Sequence, residues 1–160
     1  PLTVHRQNEL LTLDFPADVP TRLNDVSSFI DGFDIQPIEA WQGKTDLLLL
    51  FESEEQIRRL QPRMEIIGQW KFRGVIATAK GDSTDFVSRF FGPQSGVPED
   101  PVTGSAHTTL APFWAERLDK KELSAAQLSS RGGLLHCRWK GSRVEISGRA
   151  SLYLRGHIQW

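Results

Sequence analysis

The chain has 160 residues, a mass of 18.1 kDa, 39% hydrophobic residues and a formal net charge of −1. This length suits one domain, and the apolar fraction is enough for a core without disulfides. No run rich in Lys and Arg occurs, so we expect no nucleic-acid partner. The longest apolar run, residues 47–51, is too short to span a membrane, so we expect no membrane partner.

The cysteine and histidine content limits the chemistry. Cys137 is the only cysteine, which excludes an intrachain disulfide and a cysteine metal cluster, and the four histidines are widely scattered, so we expect no metal site. Cys137 alternates with Leu135 and Trp139, which is typical of a buried small residue rather than a nucleophile. No signal-peptide pattern opens the chain, and we expect a cytoplasmic protein.

Short strands and short helices are predicted in the first half of the chain. The sequence begins without Met and alternates from its start, so we expect it to begin in mid-structure, with a hairpin closed near Gln7 and Asn8. Further strands are predicted over residues 35–42, 47–51, 75–79 and 86–91, and short helices over residues 24–30 and 53–60. The second helix begins at Ser53-Glu-Glu-Gln56, which matches a capping box. The strand over residues 47–51 is apolar throughout and should be buried on both faces.

One long apolar helix dominates the second half. Residues 105–118 place apolar side chains at helical spacing around much of the circumference, which predicts a buried helix with a kink at Pro112. A loop is predicted before it, over residues 93–101, and strands after it, over residues 125–130, 134–139, 143–147, 150–155 and 157–159. We therefore predict an α+β fold, a strongly curved mixed sheet or open barrel wrapped around a central helix.

The densest chemical signal is Pro98-Glu-Asp-Pro-Val-Thr-Gly-Ser-Ala-His107. The flanking prolines stiffen the backbone and keep Asp100 out of the helix that follows. Gly104 and Ser105 open that helix, and its free N–H groups and partial positive charge suit a carboxylate or phosphate. Asp100 is placed to orient an amine or hydroxyl on the same ligand, or to assist proton transfer.

A purely structural interpretation of this segment stays open. In it, Thr103 or Ser105 caps the helix, the Pro-Glu-Asp-Pro stretch is a solvated turn, and His107 is a partly buried packing residue.

Gln127-Leu-Ser-Ser-Arg-Gly-Gly133 is a second candidate. Arg131 could bind an anion bidentately, while Gly132 and Gly133 would let backbone amides come close. The alternative is an ordinary strand-to-strand turn with an exposed arginine. Arg89, inside an apolar strand, is either a buried paired charge or a solvent-facing side chain.

Several blocks closely resemble consecutive blocks of the PhzF-like family of phenazine-biosynthesis proteins. They are Asp46 to Phe51, Gly74-Val-Ile-Ala-Thr78, Ser88-Arg-Phe-Phe-Gly-Pro93, Glu99-Asp-Pro-Val-Thr-Gly-Ser-Ala-His107, Gln127-Leu-Ser-Ser-Arg-Gly-Gly133, Arg143-Val-Glu-Ile-Ser-Gly148 and Tyr153-Leu-Arg-Gly156. The resemblance covers nearly the whole chain. It implies a fold like that of diaminopimelate epimerase, with two similar lobes and an active site in the cleft between them. It also implies a cofactor-independent isomerase or epimerase that moves protons on a small carboxylate-bearing substrate. The known chemistry of the family is isomerisation of a dihydro-hydroxyanthranilate.

Carried over residue by residue, the resemblance implies that Asp100 positions the substrate and assists its chemistry. Ser105 matches the serine that binds substrate at the helix start, and Gly104 matches the glycine that offers backbone amides. The expected substrate-binding set is completed by Thr103, Arg131 and Gly132. Because residue 105 is serine where related epimerases have cysteine, a two-cysteine racemase mechanism is unsupported.

One departure from the family pattern is severe. The family's acid/base glutamate, in an Asn/Ser-Glu-Thr type motif, and a histidine in a Gly-His-Ala-Thr type motif have no match in these 160 residues. The resemblance therefore implies a C-terminal lobe, with residues 1–15 as the last part of an N-terminal lobe that lacks roughly a hundred residues here. We expect the chain alone to be inactive. Its expected partners are the small carboxylate-bearing substrate, the missing N-terminal lobe and further copies of the protein in a homo-oligomer. The alternative is a non-catalytic small-acid binding or assembly module.

Overall fold

The computed structural model describes residues 3–157 and residue 159, and within them eleven strands form one mixed sheet. In chain order the strands are β1 (Thr3–Gln7), β2 (Leu10–Pro16), β3 (Thr21–Arg22), β4 (Glu39–Gln42), β5 (Asp46–Leu50), β6 (Gly74–Lys80), β7 (Phe86–Gly92), β8 (Val97–Asp100), β9 (Glu122–Gln127), β10 (Gly133–Trp139) and β11 (Arg143–Arg149). Their order across the sheet is β1-β2-β11-β10-β9-β7-β6-β5-β4-β3, with β8 paired to β7. The sheet is open, because β1 and β3 remain its edges.

Three α-helices and two short 3-10 segments accompany the sheet in the described part of the chain. The helices are α1 (Glu54–Arg59), α2 (Met64–Ile67) and α3 (Gly104–Leu118), and the 3-10 segments are Ser27–Gly32 and Pro93–Ser95. None of these helices has both the length and the apolar character that crossing a bilayer requires.

The long helix α3 fills the concave side of the sheet. Its buried side chains pack in one cluster with inward-facing residues of β5, β6, β7, β9, β10 and β11. The opposite face of β5, β6 and β7 is covered by α1, α2 and the first 3-10 segment, which form a second cluster. Leu48 faces the first cluster and Leu49 the second, so β5 is buried on both faces as its apolar sequence predicts. The predicted fold class, a curved open sheet around a central helix, is confirmed.

Other predictions agree with the structure closely. The first hairpin turns at Asn8, whose φ of 56° is left-handed, a conformation that Asn tolerates. Helix α3 begins one residue earlier than predicted. At α1, Ser53 Oγ accepts a hydrogen bond from Gln56 N at 3.3 Å, as the capping box requires. The Gln56 side chain reaches back to Glu52 N rather than to Ser53 N. Cys137 is buried, as its alternation predicts.

The prediction of a strand over residues 150–155 is wrong. Strand β11 extends instead to Arg149, opposite Leu10, which is the first residue of β2. Beyond that point β2 offers no further backbone partner, and residues 150–157 have no regular structure. Of the predicted strand over residues 157–159, residue 158 lies outside the described residues, and the other two are not in a strand.

The predicted loop over residues 93–101 contains strand β8. Prolines 98 and 101 suggest a loop, but the segment pairs with β7 through a bulge between Phe91 and Gly92. The strand predicted over 35–42 shortens to β4, because Pro37 lacks the N–H that a ladder needs. The helix predicted over 24–30 is the 3-10 segment Ser27–Gly32, and α2 was not predicted. Strand β9 begins and ends earlier than predicted.

Because α3 is the core of the first cluster, a cavity in it should be costly. Leu110 is fully buried, so Leu110→Ala should lower the free energy of unfolding by about 2–5 kcal/mol. Glu116→Ala, on the exposed side of the same helix, should change it by less than about 0.5 kcal/mol. Urea titrations followed by circular dichroism measure both values. Equal effects of the two substitutions would contradict the central position of α3.

Candidate active site at the start of the buried helix

The candidate site lies where two strands meet end to end along β7. Phe86, Val87 and Ser88 pair with the end of β9, in register with Ala125, Ala126 and Gln127. The same edge of β7 then pairs with β8, where Phe90 lies opposite Asp100. The end of β8, the turn that follows it and the start of α3 are therefore placed next to Gln127.

The buried side chain of Gln127 ties this turn to the sheet. Its Oε1 accepts a hydrogen bond from Thr103 N at 2.7 Å. Its Nε2 donates to Asp100 O at 2.7 Å and to Thr103 Oγ1 at 3.1 Å. Gln127 opens the second sequence motif, but no pattern in the sequence indicated that its amide would satisfy the backbone of the first motif.

The two adjacent carboxylates of the motif point to opposite faces of the sheet. Asp100 lies opposite Phe90, which packs on the face that α3 covers, whereas Glu99 lies opposite Phe91, which packs on the other face. There Glu99 forms a two-point ion pair with Arg89, with donor–acceptor distances of 2.8 and 3.0 Å. Only 13% of the Arg89 side chain is exposed, so Arg89 is the paired charge of the two alternatives. Asp100 is the carboxylate at the helix start.

The hydroxyl of Thr103 does not cap the helix. Thr103 occupies the N-cap position without a side-chain cap hydrogen bond, and its Oγ1 donates instead to Asp100 Oδ2 at 2.7 Å. The N–H groups of the first helical turn have no intrahelical partner in any α-helix. A Cβ at Gly104 would meet nothing within 4 Å, so the approach to these N–H groups is open. This geometry favours the binding interpretation of the segment over the capping one.

Arg73 also belongs to the site, and sequence reasoning missed it. Its Nη2 donates to Ser105 Oγ at 2.9 Å, and its Nε donates to Asp46 Oδ1 at 2.9 Å. Nη2 also donates to the second oxygen of Asp46. The hydrogen bonds that Arg73 donates to Asp46 are the main reason why the pKa of Arg73 lies above its usual value, and the negative charge of Asp100 adds to it. No local sequence pattern indicated this contact. Asp46 opens β5 and Arg73 directly precedes β6, and the parallel pairing of these strands, with Asp46 opposite Gly74, brings the two residues together.

The second candidate segment packs against the first. Ser129 Oγ donates to Pro101 O at 2.8 Å, and Gly132 N donates to Ser129 Oγ at 3.0 Å. A Cβ at Gly133 would lie 2.5 Å from Val102 Cγ2, so a glycine is needed for this close approach. The segment thus supports the turn that carries the site. The amide of Gly132 is committed to Ser129 and is not turned towards the helix start.

Arg131 lies away from the helix start. It is exposed and lines a groove together with Glu54, Arg58 and the turn residues after β9. That groove contains none of Asp100, Gly104 and Ser105. The structure therefore brings together Asp100, Thr103, Gly104 and Ser105 of the predicted substrate-binding set, and places Arg131 apart from them.

His107 is wholly buried beneath the helix start rather than partly buried as predicted. Its Nδ1 lies 2.8 Å from Thr103 O, and because a carbonyl oxygen only accepts, Nδ1 carries the proton. Burial lowers the pKa of His107 from 6.5 to about 4, so the ring is neutral at pH 7. Within the described residues, His107 Nε2 and Ser88 Oγ have no hydrogen-bond partner.

No metal site is evident at this place. Across residues 3–157 and residue 159, no three His, Cys, Asp or Glu side chains lie close enough together to hold a metal ion.

The neutral state of His107 should make stability depend on pH. The unfolded chain binds a proton at pH 6.5 that the folded chain takes up only near pH 4, so stability is complete above pH 6.5 and is lost as pH falls towards 4. The loss from this residue should be about 3 kcal/mol. In His107→Asn, which can still donate to Thr103 O, the fall in unfolding free energy over this range should be correspondingly shallower. Urea titrations at several pH values measure it, with the exposed His136→Asn as the control. An unchanged pH dependence in His107→Asn would refute the account of a buried neutral ring.

The chain is similar to known proteins over nearly its whole length. The family model for phenazine biosynthesis-like proteins (PhzC-PhzF) matches residues 20–156. An uncharacterised isomerase of Pseudomonas aeruginosa is 46% identical over 158 residues, which are 99% of this chain and 60% of that protein. An uncharacterised isomerase of Halalkalibacterium halodurans is 41% identical, over 98% of this chain and 60% of its own length. The crystal structure of a PhzF-family protein of Enterococcus faecalis superimposes with a TM-score of 0.92 at 40% identity, covering 100% of this chain and 62% of that one.

The chain thus spans about 60% of the length of the relatives it matches. The match of the family model over most of its residues, and the identity to these relatives over nearly its whole length, establish that the chain belongs to the phenazine biosynthesis-like, or PhzF-like, family.

Proposed function

We propose that this chain supplies the substrate-holding side of a cofactor-independent isomerase or epimerase that moves a proton on a small carboxylate-bearing substrate. The observation that carries the proposal is the uncapped start of α3 beside Asp100. The names of the relatives as isomerases support the reaction class. The chain itself would be the C-terminal lobe of such an enzyme.

In this proposal the substrate's carboxylate binds at the helix start. The N–H groups of Gly104, Ser105 and Ala106 have no hydrogen-bond partner among the described residues, and together with the positive end of the helix dipole they favour an anion there. Gly104 leaves room for the ligand to come close to the backbone. Because α3 is buried along most of its length, its first turn is held rigidly, and little ordering is needed when the ligand binds.

Asp100 would bind a second polar group of the same substrate. Its Oδ2 is occupied by the Thr103 hydroxyl, whereas its Oδ1 has no partner among the described residues. An ionised carboxylate only accepts hydrogen bonds, so the matching substrate group is a donor such as an amine or a hydroxyl. The pair of sites would thus hold a small acid that carries an amino or hydroxyl group next to its carboxylate.

The group that moves the proton would come from outside these 160 residues. Near the helix start, His107 is buried and neutral, and Glu99 is paired with Arg89 on the opposite face of the sheet. Neither is placed to exchange a proton with a ligand at Gly104. We therefore assign proton transfer to a glutamate in the part of a full-length relative that this chain does not span, with Asp100 assisting.

Ligand binding tests the holding role. By isothermal titration calorimetry, the chain should bind 2-aminobenzoate, which has a carboxylate for the helix start and an amino group for Asp100. Asp100→Asn should weaken this binding roughly tenfold, the cost of one charge-assisted hydrogen bond, and should leave benzoate, which lacks the amino group, nearly unaffected. Ser105→Ala should weaken both ligands. Glu116→Gln, about three turns further along α3, is the control. If Asp100→Asn and Ser105→Ala both left binding unchanged, the proposed site would be refuted.

Turnover tests the assignment of the proton-moving group. The 160-residue chain should bind but not isomerise a dihydroanthranilate-type acid, which absorbance spectroscopy follows directly because isomerisation shifts the conjugated double bonds. Turnover at a rate typical of enzymes, about 1–1000 per second, would place the acid/base within this chain and contradict the assignment.

A further inference from the structure

We infer that Arg73 is the cationic group that binds the carboxylate of a ligand at the start of α3, and that the buried Asp46 is the positioning residue that aims it. The inference rests on the proposed function, because it assumes that a carboxylate binds at Gly104 and Ser105. It adds Arg73, which lies 32 positions before Ser105 in the chain and directly precedes the block Gly74-Val-Ile-Ala-Thr78.

The guanidinium of Arg73 is held in a fixed orientation. Two of its nitrogens donate to the two oxygens of Asp46, in the side-by-side geometry that a planar fork and a carboxylate adopt. Only 3% of the Asp46 side chain is exposed, so this anchor is part of the protein interior. The ring of Phe90 packs against the guanidinium, with the Arg73 Cζ 5.5 Å from the ring centre.

The opposite side of the same guanidinium is available. The Arg73 side chain is 41% exposed, in contrast to its anchor. A guanidinium has five N–H donors, and the described contacts use one on Nε and two on Nη2. The two donors on Nη1 have no partner among the described residues. An arginine that served only to neutralise Asp46 would not need to be directed to a site hydroxyl as well.

The contact between Arg73 and Ser105 determines which groups of the site donate hydrogen bonds to a ligand. Ser105 Oγ accepts a hydrogen bond from Arg73 Nη2, so the hydroxyl proton is left to donate to a ligand. Arg73, the Ser105 hydroxyl and the first-turn N–H groups are then all donors. Asp100, which is close enough for its charge to act on Arg73, is the acceptor of the site. A ligand carboxylate is accordingly directed to Arg73, and a ligand amine or hydroxyl to Asp100.

The competing interpretation is that the Asp46–Arg73 pair is only structural, joining the start of β5 to the residue before β6. A ligand-binding role and a purely structural role predict different affinities for a charged and a neutral ligand of the same shape. The probes are 2-aminobenzoate and 2-aminobenzamide, which differ only in the carboxylate, and isothermal titration calorimetry gives the dissociation constants.

Two variants test the role of the charge without leaving Asp46 buried and unpaired. Arg73→Lys keeps the positive charge but loses the planar guanidinium that makes two parallel hydrogen bonds. The double variant Asp46→Asn/Arg73→Gln removes both charges together. We expect the dissociation constant of 2-aminobenzoate to rise about 3- to 10-fold in Arg73→Lys and about 10- to 100-fold in the double variant. That of 2-aminobenzamide should change less than about threefold in both. Arg59→Gln, which removes an exposed arginine of α1, should leave both probes unchanged.

The result that overturns the inference is a loss of affinity that is equal for the two probes, or no loss for either. Should circular dichroism show that the double variant does not fold, the comparison of the two probes in Arg73→Lys decides alone. Failure of the proposed function is distinguishable, because the unsubstituted chain would then not bind 2-aminobenzoate at all. Binding that depends on Asp100 and Ser105 but not on Arg73 would refute this inference and leave the proposed function standing.

Discussion

The three hydrogen bonds of the Gln127 side chain fix the turn that carries the site, because they satisfy two backbone groups and one hydroxyl between β8 and α3. A turn buried at this depth would otherwise leave polar atoms without partners, at a cost of about 1–3 kcal/mol each. The Gln127 amide lies there because β9 and β8 share one edge of β7. The position of Asp100 and the start of α3 therefore follow from the topology of the sheet.

The same arrangement separates the charges of the region into two pairs with different roles. The pair of Arg89 and Glu99 lies on the face that α1 covers and leaves little of either side chain for a ligand. The pair of Asp46 and Arg73 lies at the helix start and is exposed on the arginine side only. Asp100 is bound by a threonine hydroxyl rather than by a cation. The site thus offers both donors and an acceptor, which the small amino or hydroxy acid of the proposed function would use.

Local patterns in the sequence predicted the elements that local forces determine. The apolar spacing of residues 105–118 predicted α3 to within one residue. The motif around Asp100 and Ser105 predicted a ligand site at the helix start, and this stays a prediction. The strand β8 was missed because its pairing comes from β7 and its prolines suggest a loop. Arg73 was missed because its contact with Ser105 depends on the parallel pairing of β5 with β6, which no local pattern encodes.

The central claim is that the start of α3 binds a carboxylate while Asp100 binds the neighbouring donor. A crystal structure of the chain with 2-aminobenzoate tests it most directly. We predict the carboxylate within about 2.7–3.2 Å of Ser105 Oγ and the N–H groups of the first turn, with the amino group at Asp100. A ligand in the groove beside Arg131, or one bound with its carboxylate turned away from the helix start, would contradict the account.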